Sequence, residues 1–265
     1  MAERDRYLLD NAQEPAGRRL AALAELFDPV TRAHVGRLGV GPGWHCWEVG
    51  AGGPSIPSWL AGLTAPGGRV LATDIDTSRL AGHDDAFEVR QHDVGREQMP
   101  PASFDLVHAR LVLVHVTRRE DALATMVDAL RPGGWLLLED ADPALQPLLC
   151  PDEVGPRERL ANQLRRGFRT MLAERGADLS FGRTLPRLLR GSALMEVGAD
   201  AYFPITSPAC AELEVATIEQ LREQLLSGGL ATEEELADHL RAVADGDLDL
   251  ATAPMISAWG RKPLT

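Results

Sequence analysis

The sequence has no cysteine pair at Cys-x-x-Cys spacing, no apolar run of membrane-spanning length and no excess of positive charge. Its three cysteines, Cys46, Cys150 and Cys210, are scattered. That removes a disulfide framework and a thiolate zinc site, and favours a reducing interior. The most apolar stretch, Leu111 to Val116, is far too short to cross a bilayer. The start, Met1-Ala-Glu-Arg-Asp-Arg, leads into no segment of signal-peptide length, so the expected location is the cytoplasm. With 27 Lys+Arg against 39 Asp+Glu the formal net charge is -12. Nucleic acid and anionic membranes would be repelled at long range, and neither is expected as a partner. No internal repeat or low-complexity tract is visible. A chain of 265 residues, 45% hydrophobic and 25% charged, can bury a substantial core as one decorated domain or two small ones.

Strand-like and helical segments alternate over the first half. Glu14 to Leu38 reads as helical, with Leu20, Leu23 and Phe27 at helical spacing and Pro29 interrupting the pattern. Strands are expected at Cys46–Val49, Arg69–Thr73, Phe87–Gln91, Phe104–His108 and Gly134–Glu139, the last entered through the breaker Pro132-Gly133. Helices are expected at Ser55–Leu63 and around Glu120–Leu130, and the crossover between Arg69 and Phe104 looks abbreviated. This alternation points to parallel βαβ units with helices on both faces. After Glu139 four prolines punctuate a loop. Leu160, Leu164, Phe168 and Leu172 then form one apolar stripe, with arginines from Arg157 to Arg175 on the other face. That face reads as solvated rather than as an anion-binding lid. A strand at Glu196–Ile205, helices at Glu212–Leu226 and Glu233–Ala244, and a last strand at Met255–Trp259 complete the chain; Thr232 to Glu235 has the capping-box pattern.

Chemistry concentrates in Glu48-Val-Gly50-Ala51-Gly52-Gly53-Pro54-Ser55. Glycines after a strand let the backbone turn sharply and approach a ligand. The following helix aims free N–H groups at an anion, a phosphate or an amino-acid carboxylate. The dinucleotide fingerprint GxGxxG would need glycine where Ser55 stands. Asp74, 26 residues after Glu48, ends the second strand and is placed to accept from ribose hydroxyls. Asp93 ends the third, where its carboxylate would take an exocyclic amine while the next backbone N–H, that of Val94, meets a ring nitrogen.

Taken in order and spacing, Glu48 to Gly53, Val70-Leu-Ala-Thr-Asp74-Ile75-Asp76, His92-Asp93, Phe104-Asp-Leu-Val107 and Leu130-Arg-Pro-Gly-Gly-Trp-Leu-Leu-Leu-Glu139 resemble the class I S-adenosylmethionine-dependent methyltransferases. The likeness covers roughly residues 44 to 140, and dehydrogenases have no reason to carry Phe-Asp-Leu-Val with Leu-Arg-Pro-Gly-Gly. It implies an α/β, Rossmann-like, open and mostly parallel seven-stranded sheet with an antiparallel last strand, and inserted helices forming a substrate lid. It further implies S-adenosylmethionine as cofactor, its methionyl part at Glu48, Gly50, Ala51 and Gly52, ribose at Asp74 and adenine at Asp93-Val94, with Ile75 also among the cofactor-binding residues. Position 54, where the family has its third glycine, is Pro54, with Pro57 following; both fit a helix only if it begins close to Gly53.

The implied domains are an N-terminal helical cap (1–40), a cofactor core (41–142), a helical lid (143–194), and C-terminal strands with inserted helices (195–265). Methyl transfer asks mainly for alignment and exclusion of water, and for a base only if the acceptor is protonated. His115 is the candidate base or else a packed histidine; Arg110 would hold the cofactor carboxylate or an acidic acceptor, or else form a structural ion pair. Tyr7, Glu139 and Asp140 complete the expected acceptor pocket. His108 and His115 lack a third ligand at metal spacing, so no metal is expected. The acceptor is expected to be a small molecule, specialised metabolites being one class of candidate, and the protein a monomer or homodimer. The rivals are a cofactor-binding cyclase or regulatory module with no methyl transfer, and an NAD(P)-dependent oxidoreductase.

Overall fold

The structure is a computed structural model and describes residues 14–82 and 86–264. The described chain divides into two compact units, a sheet unit (Asp28–Ala141, Phe181–Tyr202 and the segment from Met255) and a helical unit (up to Phe27, Asp142–Ser180 and Phe203–Pro254).

In the sheet unit, β1 (His45–Val49), β2 (Arg69–Asp74), β3 (Glu88–Gln91), β4 (Phe104–Arg110), β5 (Leu130–Ala141), β6 (Met195–Tyr202) and β7 (Met255–Arg261) form one sheet in the order 3-2-1-4-5-7-6. The first five strands are parallel, and β7 runs antiparallel to both β5 and β6. Strand residues alternate between two covered faces. Trp47, Val49, Val107, Ala109, Leu136 and Leu138 share a core with Ala122 and Met126 of α3 (Arg119–Ala129) and with Leu185 and Leu189 of α5 (Leu185–Gly191). Cys46, Val70, Leu106 and Leu137 share the other with Ile56 and Leu60 of α2 (Ser55–Thr64) and Val35 of α1 (Glu14–Arg37). Strand order reverses at β1, which lies between β2 and β4, and open α/β sheets bind ligands at such a reversal.

The helix expected from Glu14 to Leu38 is α1, which continues through Pro29. An interior proline costs a helix about 3 kcal/mol, and here tertiary bonds hold both flanks, since Arg110 binds Asp28 and Thr31. Strand β5 begins at Leu130, four residues early, because the register jump from Phe104↔Leu130 to Leu106↔Trp135 absorbs Pro132-Gly133 as an irregularity. Compact units also divide α1 at Phe27 and place α5 with the sheet, so the boundaries at 40 and 194 are not those of the packing. The abbreviated crossover is present: among described residues, only a single 3-10 turn (Ser78–Leu80) lies between β2 and β3.

In the helical unit, α4 (Pro156–Glu174), α6 (Pro208–Ser227) and α7 (Glu233–Ala244) pack Leu164, Met171, Ile218, Leu221, Leu225 and Leu236. The capping box at Thr232 is formed. The arginine face of α4 is not uniformly solvated. Arg157 pairs with Asp247, while half-buried Arg165 reaches Glu214, which also meets His239. Asn162 accepts the amides of Leu149 and Cys150, both at 2.8 Å, and so fastens the proline-rich loop. No helix among the described residues is long and apolar enough to cross a membrane.

Candidate active site

After β1 the chain turns through Gly50 and Gly52, both at φ +61. Left-handed backbone of this kind strains any side chain, and a Cβ at Gly50 would stand 2.4 Å from Val112 Cγ2. Gly50→Ala is therefore expected to destabilise the sheet unit by about 2 kcal/mol, from strain and overpacking together; urea unfolding measures it. Pro54 is the N-cap of α2 and Pro57 lies in its first turn, where a missing N–H costs nothing. No side chain caps this helix start, which leaves its N–H groups to a ligand.

Asp74 closes the turn. Its Oδ2 accepts the Gly52 N–H at 2.9 Å and its Oδ1 the Asp76 N–H at 3.0 Å. A carboxylate has about four acceptor positions, so capacity remains for hydroxyl donors. Burial pushes its pKa up against the opposing pull of these amides. Ile75 beside it is 65% exposed, an apolar surface next to the acid. Asp93 Oδ1 accepts the Gly95 N–H at 2.9 Å, and Arg96 stands 3.3 Å from Oδ2; Val94 is buried.

Glu48, Arg110, Glu139, Asp140 and His115 were expected at the site as well. Glu48 is buried, with Oε2 at 2.6 Å from His108 Nδ1 beneath the glycine turn and not at the rim. Arg110 donates to Asp28 of α1 at 2.8 Å and to Thr31 at 3.0 Å, a structural ion pair. Glu139 is 1% exposed and already accepts from Ser257 (2.6 Å), His108 (3.2 Å) and Thr31, which leaves little for an acceptor molecule. Asp140 is buried on the opposite face of β5, where its Oδ2 accepts the Val114 N–H at 3.4 Å. His115 is exposed on the turn after β4, its amide donating to the Val112 carbonyl. Tyr7 lies outside the described residues. Among described residues no cluster of His, Cys, Asp and Glu has metal-binding geometry.

Sequence reasoning missed a buried polar chain. Glu48 on β1, His108 on β4 and Glu139 on β5 are linked in series, and His34 of α1 joins Glu139 (3.3 Å) to Asp200 of β6 (2.9 Å). Burial alone would lower the His108 pKa, but the two carboxylates outweigh it and lift it to about 9; His34 is raised in the same way. Glu139, despite burial, is held far below the usual carboxylate range by His108 and His34. The available signal was three ionisable residues in or ending the apolar stretches Cys46–Val49, Leu106–Ala109 and Trp135–Glu139, with Glu48 opposite His108 once β1 and β4 are paired.

Turn, acid ladder and strand order together define a class I methyltransferase fold, whose family uses S-adenosylmethionine. Residues 47–138 match the methyltransferase domain family, and with this fold they identify that stretch as a class I S-adenosylmethionine-dependent methyltransferase domain. It is 31% identical over 191 residues to methyltransferase str2 of Strobilurus tenacellus, covering 69% of this chain and 65% of that protein. It is 26% identical over 177 residues to the ubiquinone/menaquinone biosynthesis C-methyltransferase UbiE of Hahella chejuensis, covering 56% and 71%. The chain thus spans slightly under two thirds of the length of str2. Among solved structures, Haemonchus contortus phosphoethanolamine N-methyltransferase 2, bound to phosphomonomethylethanolamine and S-adenosylhomocysteine, superposes with TM-score 0.60 at 16% identity. That superposition covers 99% of this chain and 60% of that one, and at such identity it speaks for the fold.

Proposed function

We propose that the protein transfers the methyl group of S-adenosylmethionine to a small-molecule acceptor by in-line displacement. The observation that carries this reading is the contact between Gly52 and Asp74, which joins a ligand-approaching turn to a carboxylate with spare acceptor capacity at the reversal point of the sheet. The donor set fits the cofactor: the uncapped α2 start for its carboxylate, Asp74 for its ribose, Ile75 and the Asp93-Val94 segment for its adenine. When bound, S-adenosylmethionine supplies an electrophilic methyl carbon. This chain's part is to hold and orient it. The formal charge of -12 argues for a small acceptor over nucleic acid.

Relatives named for carbon and for nitrogen methylation leave the acceptor atom to experiment. S-adenosylhomocysteine is expected to bind in calorimetry, and absence of binding at millimolar ligand would remove the reading. Asp74→Asn is expected to weaken that binding at least about tenfold, the loss typical of a hydrogen bond to a charged group. Incubation with the methyl-labelled cofactor and candidate acceptors separates transfer from mere binding; label in no product favours the cyclase or regulatory alternative.

A further inference from the structure

We propose that His108 is a positioning residue for the cofactor: as a cation clamped between Glu48 and Glu139, it fixes the end of β1 and with it the glycine turn that meets Asp74. This rests on the reading of that turn as the S-adenosylmethionine site.

The geometry makes the ring a cation. Both nitrogens face carboxylate oxygens, Nδ1 at 2.6 Å from Glu48 and Nε2 at 3.2 Å from Glu139, and the ring is fully buried. Glu139 accepts from Thr31 of α1, Ser257 of β7 and His108 of β4, and His34 of α1 stands 3.3 Å away as an ion-pair partner, so it is ionised. Two buried carboxylates this close need a cation between them. The other charged groups lie one shell out: Arg110 acts through the Thr31 hydroxyl, Asp28 neutralises Arg110, and Asp200 on β6 takes the far nitrogen of His34.

The cluster lies where it governs the turn. Glu48 is two residues before Gly50, and the Leu111 N–H is bonded to the Glu139 carbonyl at 2.8 Å. Leu111 leads into Val112, whose side chain walls Gly50. His108 therefore ties together both segments that shape the cofactor turn, one through Glu48 and one through Glu139. Apolar residues would fill the same volume at equal or lower cost in stability, so its ionic character points to placement.

The test compares the wild type with His108→Gln, which keeps a polar group of similar reach without the charge. Binding of S-adenosylhomocysteine is measured by calorimetry from pH 7 to 10, with circular dichroism reporting the fold. At pH 7.5 the variant is expected to bind about tenfold more weakly. The wild-type affinity should fall as pH rises through the His108 titration, and that fall should be missing from the variant. The ligand's own ammonium titrates identically in both, so the difference between profiles isolates His108. Should the variant fail to fold, Glu48→Gln is measured in the same way, with the same flattening expected. Equal affinities and superimposable profiles, in proteins that bind, would overturn the proposal and leave the cofactor reading standing. No binding even by the wild type would overturn both.

Discussion

Glu139→Ala is expected to cost the sheet unit about 3–5 kcal/mol, the range found when one member of a buried ionic group is removed. Its two oxygens accept from Thr31, Ser257 and His108 and face His34. Removal strands two hydroxyl donors, at about 1–3 kcal/mol for each left unpaired, and leaves His108 with Glu48 alone. Urea unfolding at pH 7 reads the loss as a lower midpoint at an unchanged slope. The pH dependence carries a second signature. Glu139 has a depressed pKa in the fold, so its contribution is present above the ordinary value of 4.5 and is lost as pH falls towards the folded one. His108 has a raised pKa, so its contribution is whole below 6.5 and is lost as pH rises through about 9. The wild type should therefore lose stability from this cluster on both limbs, and Glu139→Ala should flatten both. An unchanged urea midpoint would show that the cluster is not a coupled ionic unit.

The same cluster marks where legibility from sequence stops. Strand positions were readable because apolar residues at a period of two had to be buried on two faces, and the order Glu48, Asp74, Asp93 placed acids at three consecutive strand ends. Asp74 and the glycine turn needed only local rules, since both depend on what a strand end and a positive φ require. Glu48, Arg110 and Glu139 were expected to face ligands because they too stand at or near strand ends. Pairing of side chains across strands decided otherwise. Arg110 is opposite Glu139 in register, but the partners that claim them, Asp28, Thr31 and Ser257, are between 79 and 118 residues distant in the chain. No single-segment rule reports such a meeting. Helix α1 carries Pro29 in its interior for a related reason, because it is held from outside through Asp28 and Thr31.

Asp140→Asn is expected to stabilise the protein at alkaline pH and to change little near pH 4. Asp140 follows Glu139 on β5 but points to the other face and carries the opposite electrostatics. It is 2% exposed, and only its Oδ2 is engaged, accepting from Val114 at 3.4 Å; Oδ1 finds no hydrogen-bond partner among the described residues. Burial raises its pKa to about 8, with the Val114 and Leu113 amides and nearby Arg119 pulling the other way. Arg119 itself donates to the carbonyls of Leu113 and Val114, which limits what it can give Asp140. A carboxyl with a raised folded pKa favours the fold below its ordinary value of 3.8, and stability drains away as pH climbs from there to about 8. Above that the full penalty of a buried, poorly partnered carboxylate is in place. Asparagine keeps the shape and the acceptor for Val114 while removing the ionisation. At pH 9 the expected gain is about 2–4 kcal/mol, or roughly 5–10 °C in Tm. Thermal unfolding of both proteins at pH 4, 6, 7.5 and 9 checks it: the gap should open steadily with pH and level off beyond 8. A constant gap across that range would mean that Asp140 stays in one protonation state throughout, held by a partner for its second oxygen.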